Sequence, residues 1–243
     1  MHGTQVFKSL VRAVVLVGLS ACQPSAGHYF PLDAGHEWHY RLDYKLADGE
    51  RQQRLSIRTL GTTEVRMVGG QDVKASVRRT SDGTDYYIQD TDDGVYRVAK
   101  RLVVQYQGVT DPKPRLVLPK GKNLRKGYSW TVESQPMAIH WVPPFNEANG
   151  SLKPFDLVYT VAALDETVDT PAGRFEHCIK LEGEGKVTIY ADASIGYQEV
   201  FISHEEWYAP GVGLVKLLRK EPLSASTIIK GGQVSMVLTQ QHP

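Results

Sequence analysis

The chain has little that could brace it covalently or carry it across a membrane. Two cysteines in 243 residues allow at most one disulfide. No apolar run reaches the roughly 20 residues that a membrane-crossing helix needs. Neither charge sign dominates: 28 Lys and Arg stand against 27 Asp and Glu, a formal net charge of +1. That balance excludes a strongly basic nucleic-acid binder and an acidic disordered tail. Catalytic signatures are missing as well. There is no His-Glu-x-x-His, no paired-cysteine metal motif and no Gly-x-Ser-x-Gly elbow. Gly183-Glu184-Gly185 and Gly211-Val212-Gly213 are not phosphate loops, since neither opens a helix nor leads into Gly-Lys-Ser/Thr. The expectation is a protein without catalytic residues, metal or cofactor, and without a nucleic-acid partner.

A sustained 3.6-residue apolar stripe is also absent; the best helical stretch, around Ala47 to Leu55, is short and polar. Alternation with a period of two takes its place. Tyr40, Leu42, Tyr44 and Leu46 alternate with Arg41, Asp43 and Lys45. Val73, Ala75 and Val77 alternate with Lys74, Ser76 and Arg78, which reads as one buried and one wet face. With 22 Gly and 13 Pro, turns are frequent. Asp82-Gly83 and Asp93-Gly94 mark two of them. Gly231-Gly232 predicts a tight hairpin joining Thr227–Ile229 to Val234–Leu238 through positive φ angles. The fold class expected is mainly β, a curved antiparallel sheet or half-barrel.

Three motif pairs recur in the same order along the chain, which suggests two similar halves. Gly35-His36-Glu37-Trp38 matches Gly127-Tyr128-Ser129-Trp130. Val68-Gly69-Gly70 with the strand after it parallels Thr170-Pro171-Ala172-Gly173. Asp93-Gly94-Val95 parallels Pro210-Gly211-Val212. The expected organisation is a first half over 29–110, a basic connector over 111–126 and a second half over 127–243.

The amino terminus reads as an address and not as structure. Lys8 and Arg12 precede the short apolar run Ala13 to Leu19, and then comes Leu19-Ser20-Ala21-Cys22. This resembles the lipobox of bacterial lipoproteins. The resemblance implies that residues 1–21 are a signal peptide, that Cys22 carries a diacylglyceryl group, and that its freed amino group takes a palmitate-class acyl chain. Several acyl chains, at ~0.8 kcal/mol per buried CH₂, hold a protein on a membrane where one would not. Gln23 follows the cysteine where an Asp would signal inner-membrane retention. By resemblance to enterobacterial sorting this favours the outer membrane, with the protein facing the periplasm. Residues 22–28 are the tether. A lipidated Cys22 leaves Cys178 without a partner, and Cys178 reads as a small buried hydrophobe.

Trp207-Tyr208-Ala209-Pro210-Gly211-Val212-Gly213-Leu214-Val215-Lys216 is the most distinctive stretch. It resembles a signature of uncharacterised exported bacterial proteins and lipoproteins. Pro31 to Tyr40 and Thr170 to Cys178 resemble two further motifs of that family. The resemblance implies a β-rich periplasmic module and carries over no catalytic residue.

Two segments are candidates for interaction. Lys113, Arg115, Lys120, Lys122, Arg125 and Lys126 face only Asp111 across 111–126. Such a stripe suits anionic headgroups or an acidic partner, or is a plain soluble connector. The Pro-rich loop 136–155 carries His140, Trp141 and Phe145, which are either anchors for a partner or a lid over the sheet's open edge. His204 and Glu206 read as a solvated strand face. Two functions are expected to compete. One is a non-catalytic envelope lipoprotein that binds a protein partner or serves envelope assembly. The other is a carrier that holds a lipid or other apolar ligand in the concave sheet, with Tyr40, Tyr44, Tyr86, Tyr87 and Tyr96 along the cavity.

Overall fold

The computed structural model describes residues 28–145 and 152–243. The lipobox, Cys22 and nearly all of the tether lie outside the described residues, as does 146–151 of the Pro-rich loop. What is described is 68 % strand, as the period-two alternation predicts. No helix among the described residues is long and apolar enough to cross a membrane.

The strands are β1 (Glu37–Leu46), β2 (Gly49–Arg66), β3 (Asp72–Thr80), β4 (Asp85–Asp90), β5 (Gly94–Arg101), β6 (Val109–Pro119), β7 (Ser129–Ser134), β8 (His140–Trp141), β9 (Phe155–Thr170), β10 (Gly173–Asp192), β11 (Gly196–Ala209), β12 (Gly213–Glu221), β13 (Ile229–Lys230) and β14 (Gly232–His242). Twelve of them form one antiparallel sheet in the order β6-β5-β4-β3-β2-β1-β14-β12-β11-β10-β9-β7. This is two six-stranded meanders joined edge to edge by β1 and β14. Each pair of repeated motifs falls at the same step of its meander. Trp38 and Trp130 lie in the first strands, the Gly69-Gly70 and Pro171–Gly173 turns join the second to the third, and Asp93-Gly94 and Pro210-Gly211 join the fourth to the fifth.

The sheet curves until its outer edges β6 and β7 meet, a nearly closed barrel. No ladder forms between them. Side chains close the seam instead: Trp130 Nε1 donates to the Leu116 carbonyl at 3.1 Å, and Arg115 Nη1 to the Glu133 carbonyl at 2.7 Å. Pro112 and Pro114 in β6 have no N–H to offer a ladder. The stretch expected as a connector therefore differs from its expectation over 111–119, which belongs to β6 and is an edge of the sheet. Proline on an edge strand is one of the devices that keep an edge from pairing with other chains.

Bulges bend the long hairpins back onto the sheet. Three register shifts lie between Phe175 and Leu181 in β10, and His177 sits there at φ 57°. The hairpin tip then reaches β14, where Ala172 N–H donates to the Leu238 carbonyl at 3.2 Å. The bulge also turns Cys178 inward, where it is fully buried among Trp38, Val168 and Leu217. Burial pushes its thiol up to about 11, so it packs as a hydrophobe and is not a nucleophile at neutral pH.

The hairpin expected at Gly231-Gly232 does not form. β13 pairs with β8, while β14 pairs with β1 and β12. Neither glycine has a positive φ. Their role is close approach: a Cβ on Gly231 would lie 2.0 Å from the Glu221 carbonyl oxygen, and one on Gly232 2.4 Å from that of Lys45. Both obstacles are backbone, which cannot swing away. Gly231→Ala is accordingly expected to cost about 3 kcal/mol, the upper part of the usual single-substitution range. The urea midpoint of unfolding measures it, and an unchanged midpoint contradicts this packing.

Candidate functional site

The two halves of the barrel are filled differently. On the second half, Leu157, Val161, Leu181, Val187, Ile189, Val200 and Ile202 interlock in the largest core cluster. The first half turns Arg78, Arg97 and Arg115 toward the interior, and a cavity of about 270 Å³, partly open to solvent, remains between the halves. β1 to β6 contribute Tyr40, Ile57, Tyr86, Ile88 and the three arginines, and β9, β11 and β12 contribute Tyr159, Glu206, Tyr208 and Leu214. Phe30 closes in from the segment before β1, its ring 6.2 Å from that of Tyr208.

The three arginines are held differently. Arg97 makes a two-pronged pair with Asp111, each N–H···O contact 2.8 Å long. Arg115 is tied to the seam through the Glu133 carbonyl. Arg78 has no such partner: its Nε is buried without an acceptor among the described residues. Its Cζ lies 4.6 Å from the centre of the Phe30 ring and 4.4 Å from that of Trp38, a cation–π setting. Burial pulls the guanidinium below its usual range, and the oxygens of Tyr40 and Tyr208 oppose that pull. At any working pH it stays charged.

The opposite wall carries a saturated carboxylate. Glu206 accepts from the Tyr208 hydroxyl at 2.6 Å and the Tyr159 hydroxyl at 3.2 Å, and lies 2.7 Å from His204 Nε2. Burial raises its pKa, but His204 and the two hydroxyls outweigh burial and hold the carboxyl below the ordinary range. Burial and the Glu206 charge push both tyrosines far up, so they remain donors. Among the described residues no group of three or more His, Cys, Asp or Glu could hold a metal ion.

No family model matches the chain, and no curated protein does. Two solved structures are similar to it. One is titled a "putative lipoprotein" from Parabacteroides distasonis, with 16 % identity over 88 % of this chain and 98 % of that one, at a TM-score of 0.41. The other is titled a "putative exported protein with YmcC-like fold" from Bacteroides fragilis, with 15 % identity over the same shares, at 0.37. At such TM-scores the likeness carries no functional argument.

The structure disperses the basic stripe. Arg115 lines the cavity, Lys120 pairs with Asp90 at 2.6 Å, and Lys113, Lys122, Arg125 and Lys126 are exposed. In the Pro-rich loop, the Glu221 carboxylate, itself fully buried, accepts the N–H groups of Met137, Ala138 and Ile139 at 2.7 to 3.0 Å. That clamp seats Ile139 in the main core and sets β8 beside β13. His140 reaches Asp48 at 3.2 Å and Trp141 packs against the core, while Phe145 is exposed. Of the five tyrosines, Tyr40 and Tyr86 line the cavity; Tyr44, on β1, does not, and Tyr87 and Tyr96 pack around Val98 instead.

Two readings need correction. His204 and Glu206 are not on a solvated face, for His204 is 3 % exposed and Glu206 lies in the cavity wall. Val200 and Ile202 share their face of β11, so the signal was in the strand's other half. Arg78 is likewise not on a wet outer face. It lines the interior, while Ala75 packs with Val65, Val98 and Ala99 in a separate cluster.

The carboxylate network gives a pH-dependent prediction. Because the folded pKa of Glu206 is depressed, its contribution is full above the ordinary glutamate value of about 4.3 and is lost as pH falls through the lower folded value. Glu206→Gln is expected to destabilise by about 2 kcal/mol at neutral pH, the worth of charged hydrogen bonds. That gap should shrink in acid. Urea unfolding at both pH values checks this, and a gap that is the same in acid contradicts an ionised Glu206.

Proposed function

We propose that this protein is a non-catalytic, lipid-anchored envelope protein whose barrel carries a small ligand with an apolar body. The observation that supports carriage over a purely protein-binding role is the cavity between the two halves. Its 270 Å³ exceeds the roughly 150 Å³ that admits benzene in an engineered protein core. It approaches the low end of natural ligand pockets, about 300 Å³. Its walls combine aromatic and aliphatic side chains with a few fixed polar groups, the usual make-up of a binding site. The lipobox at Leu19 to Cys22 supports the anchor, and Gln23 supports the outer membrane, facing the periplasm.

Native mass spectrometry of gently purified protein tests the carriage. A reproducible small-molecule adduct is expected; an empty barrel that retains a stoichiometric protein partner favours the protein-binding role. Fractionation tests the anchor. Cys22→Ser should move the protein to the soluble fraction or leave it unprocessed, and normal processing with full membrane retention contradicts lipidation there.

A further inference from the structure

We infer that Arg78 receives the head group of the ligand, and that this head group is an oxyanion, a carboxylate or a phosphate, on a body that lies against Phe30, Ile88 and Leu214. The inference rests on the carrier reading and adds the ligand's charge.

The argument turns on which cavity groups still have hydrogen bonds to give. Arg97 is committed to Asp111 through two N–H groups, and Arg115, at the seam, is held by a single N–H to a backbone carbonyl and adds a second positive charge to the wall that holds Arg78. The Tyr40 hydroxyl donates to the Leu214 carbonyl at 2.9 Å, and the Tyr159 and Tyr208 hydroxyls donate to Glu206. Glu206, filled by three partners, forms no ion pair with Arg78. Arg78 therefore stands as a cation in the cavity wall whose buried Nε has no hydrogen-bond acceptor among the described residues. Its contacts with Phe30 and Trp38 are ring contacts, and rings attract a guanidinium without taking its N–H bonds. Those N–H groups lie in the guanidinium plane as a fork that matches two oxygens of one anion. A neutral oxygen gives that fork a weaker, uncharged acceptor, whereas an anion fills it with charge-assisted bonds about twice as strong. A cationic ligand would face Arg78 directly.

The mature chain, residues 22–243 with Cys22→Ser, carries neither signal peptide nor lipid anchor and is titrated by calorimetry without detergent. The probes share one chain: decanoate, decyl phosphate, decanol and decyltrimethylammonium. Decanoate or decyl phosphate is expected to bind at least about tenfold tighter than decanol, and the cation weakest. Arg78→Met keeps an apolar stem and should reduce the anion to the affinity of decanol while leaving decanol unchanged. Lys113→Met, an exposed cation removed elsewhere, should leave the preference intact. Whichever anion leads distinguishes a carboxylate from a phosphate source. Equal binding of decanol and both anions overturns the head-group assignment and leaves carriage standing. Binding of none of the probes overturns both. Should Arg78→Met fail to fold, Arg78→Lys keeps the charge but not the fork, and is expected to lose most of the anion preference. An undiminished preference in either folded variant refutes the role of Arg78.

Discussion

The ladder between β1 and β14 makes one container out of two sheets. Each meander alone has two edges, and a free edge invites pairing with other chains. Pairing from Glu37 with His242 through Leu46 with Gly232 uses up one edge of each. Side chains then fix the curvature across the join. From β1, Trp38 Nε1 donates to the Val212 carbonyl at 2.7 Å and the Tyr40 hydroxyl to that of Leu214, both reaching past β14 to the turn and strand beyond. Gly232 lets the two backbones approach where any side chain would strike Lys45. With the middle held in this way, the remaining edges are brought together, and two side-chain bonds are enough to close the seam.

Given that shape, composition decides where space remains. Much of the inner surface of the second half is Leu, Ile and Val, which interlock in the largest core cluster. The inner rows of the first half include three guanidinium groups, which cannot enter a dry core without partners. Two of them find partners and become part of the wall. The space in front of them is the cavity, so the same residues that prevent collapse also line what collapse would have filled.

The class of fold was legible because alternation is a local property: Tyr40 to Leu46 and Val73 to Val77 announce strands whatever they pack against. The turns at Asp93-Gly94 and Pro210-Gly211 were legible for the same reason. The partner of a strand was not. Gly231-Gly232 is locally a hairpin, and only the backbone of Lys45, far away in sequence, shows that it is a crossing point. Nor was the inward face certain. Arg78 alternates with valines, and in a simple sheet that puts it in water; a curved sheet with a second cluster on its back buries both rows. The site was hidden by the same ambiguity. The conspicuous candidates, a lysine-rich stretch and a Pro-rich aromatic loop, stand out by composition, whereas cavity residues are single letters scattered over nine strands and one terminal segment.

Tyr208 explains how one small cavity keeps an acid and a base apart. It belongs to the most distinctive stretch of the sequence and stands between the two charged centres in chemical terms. Its hydroxyl donates to Glu206, and its ring lines the same cavity as Arg78. Phe30 lies near its ring, 6.2 Å between centres, and also takes the Arg78 guanidinium over its own face. With three partners on Glu206, the carboxylate has little accepting capacity left to offer a ligand or a cation. Held as it is, the acid is already satisfied and the base is not, so the cavity's unspent hydrogen-bonding capacity is cationic.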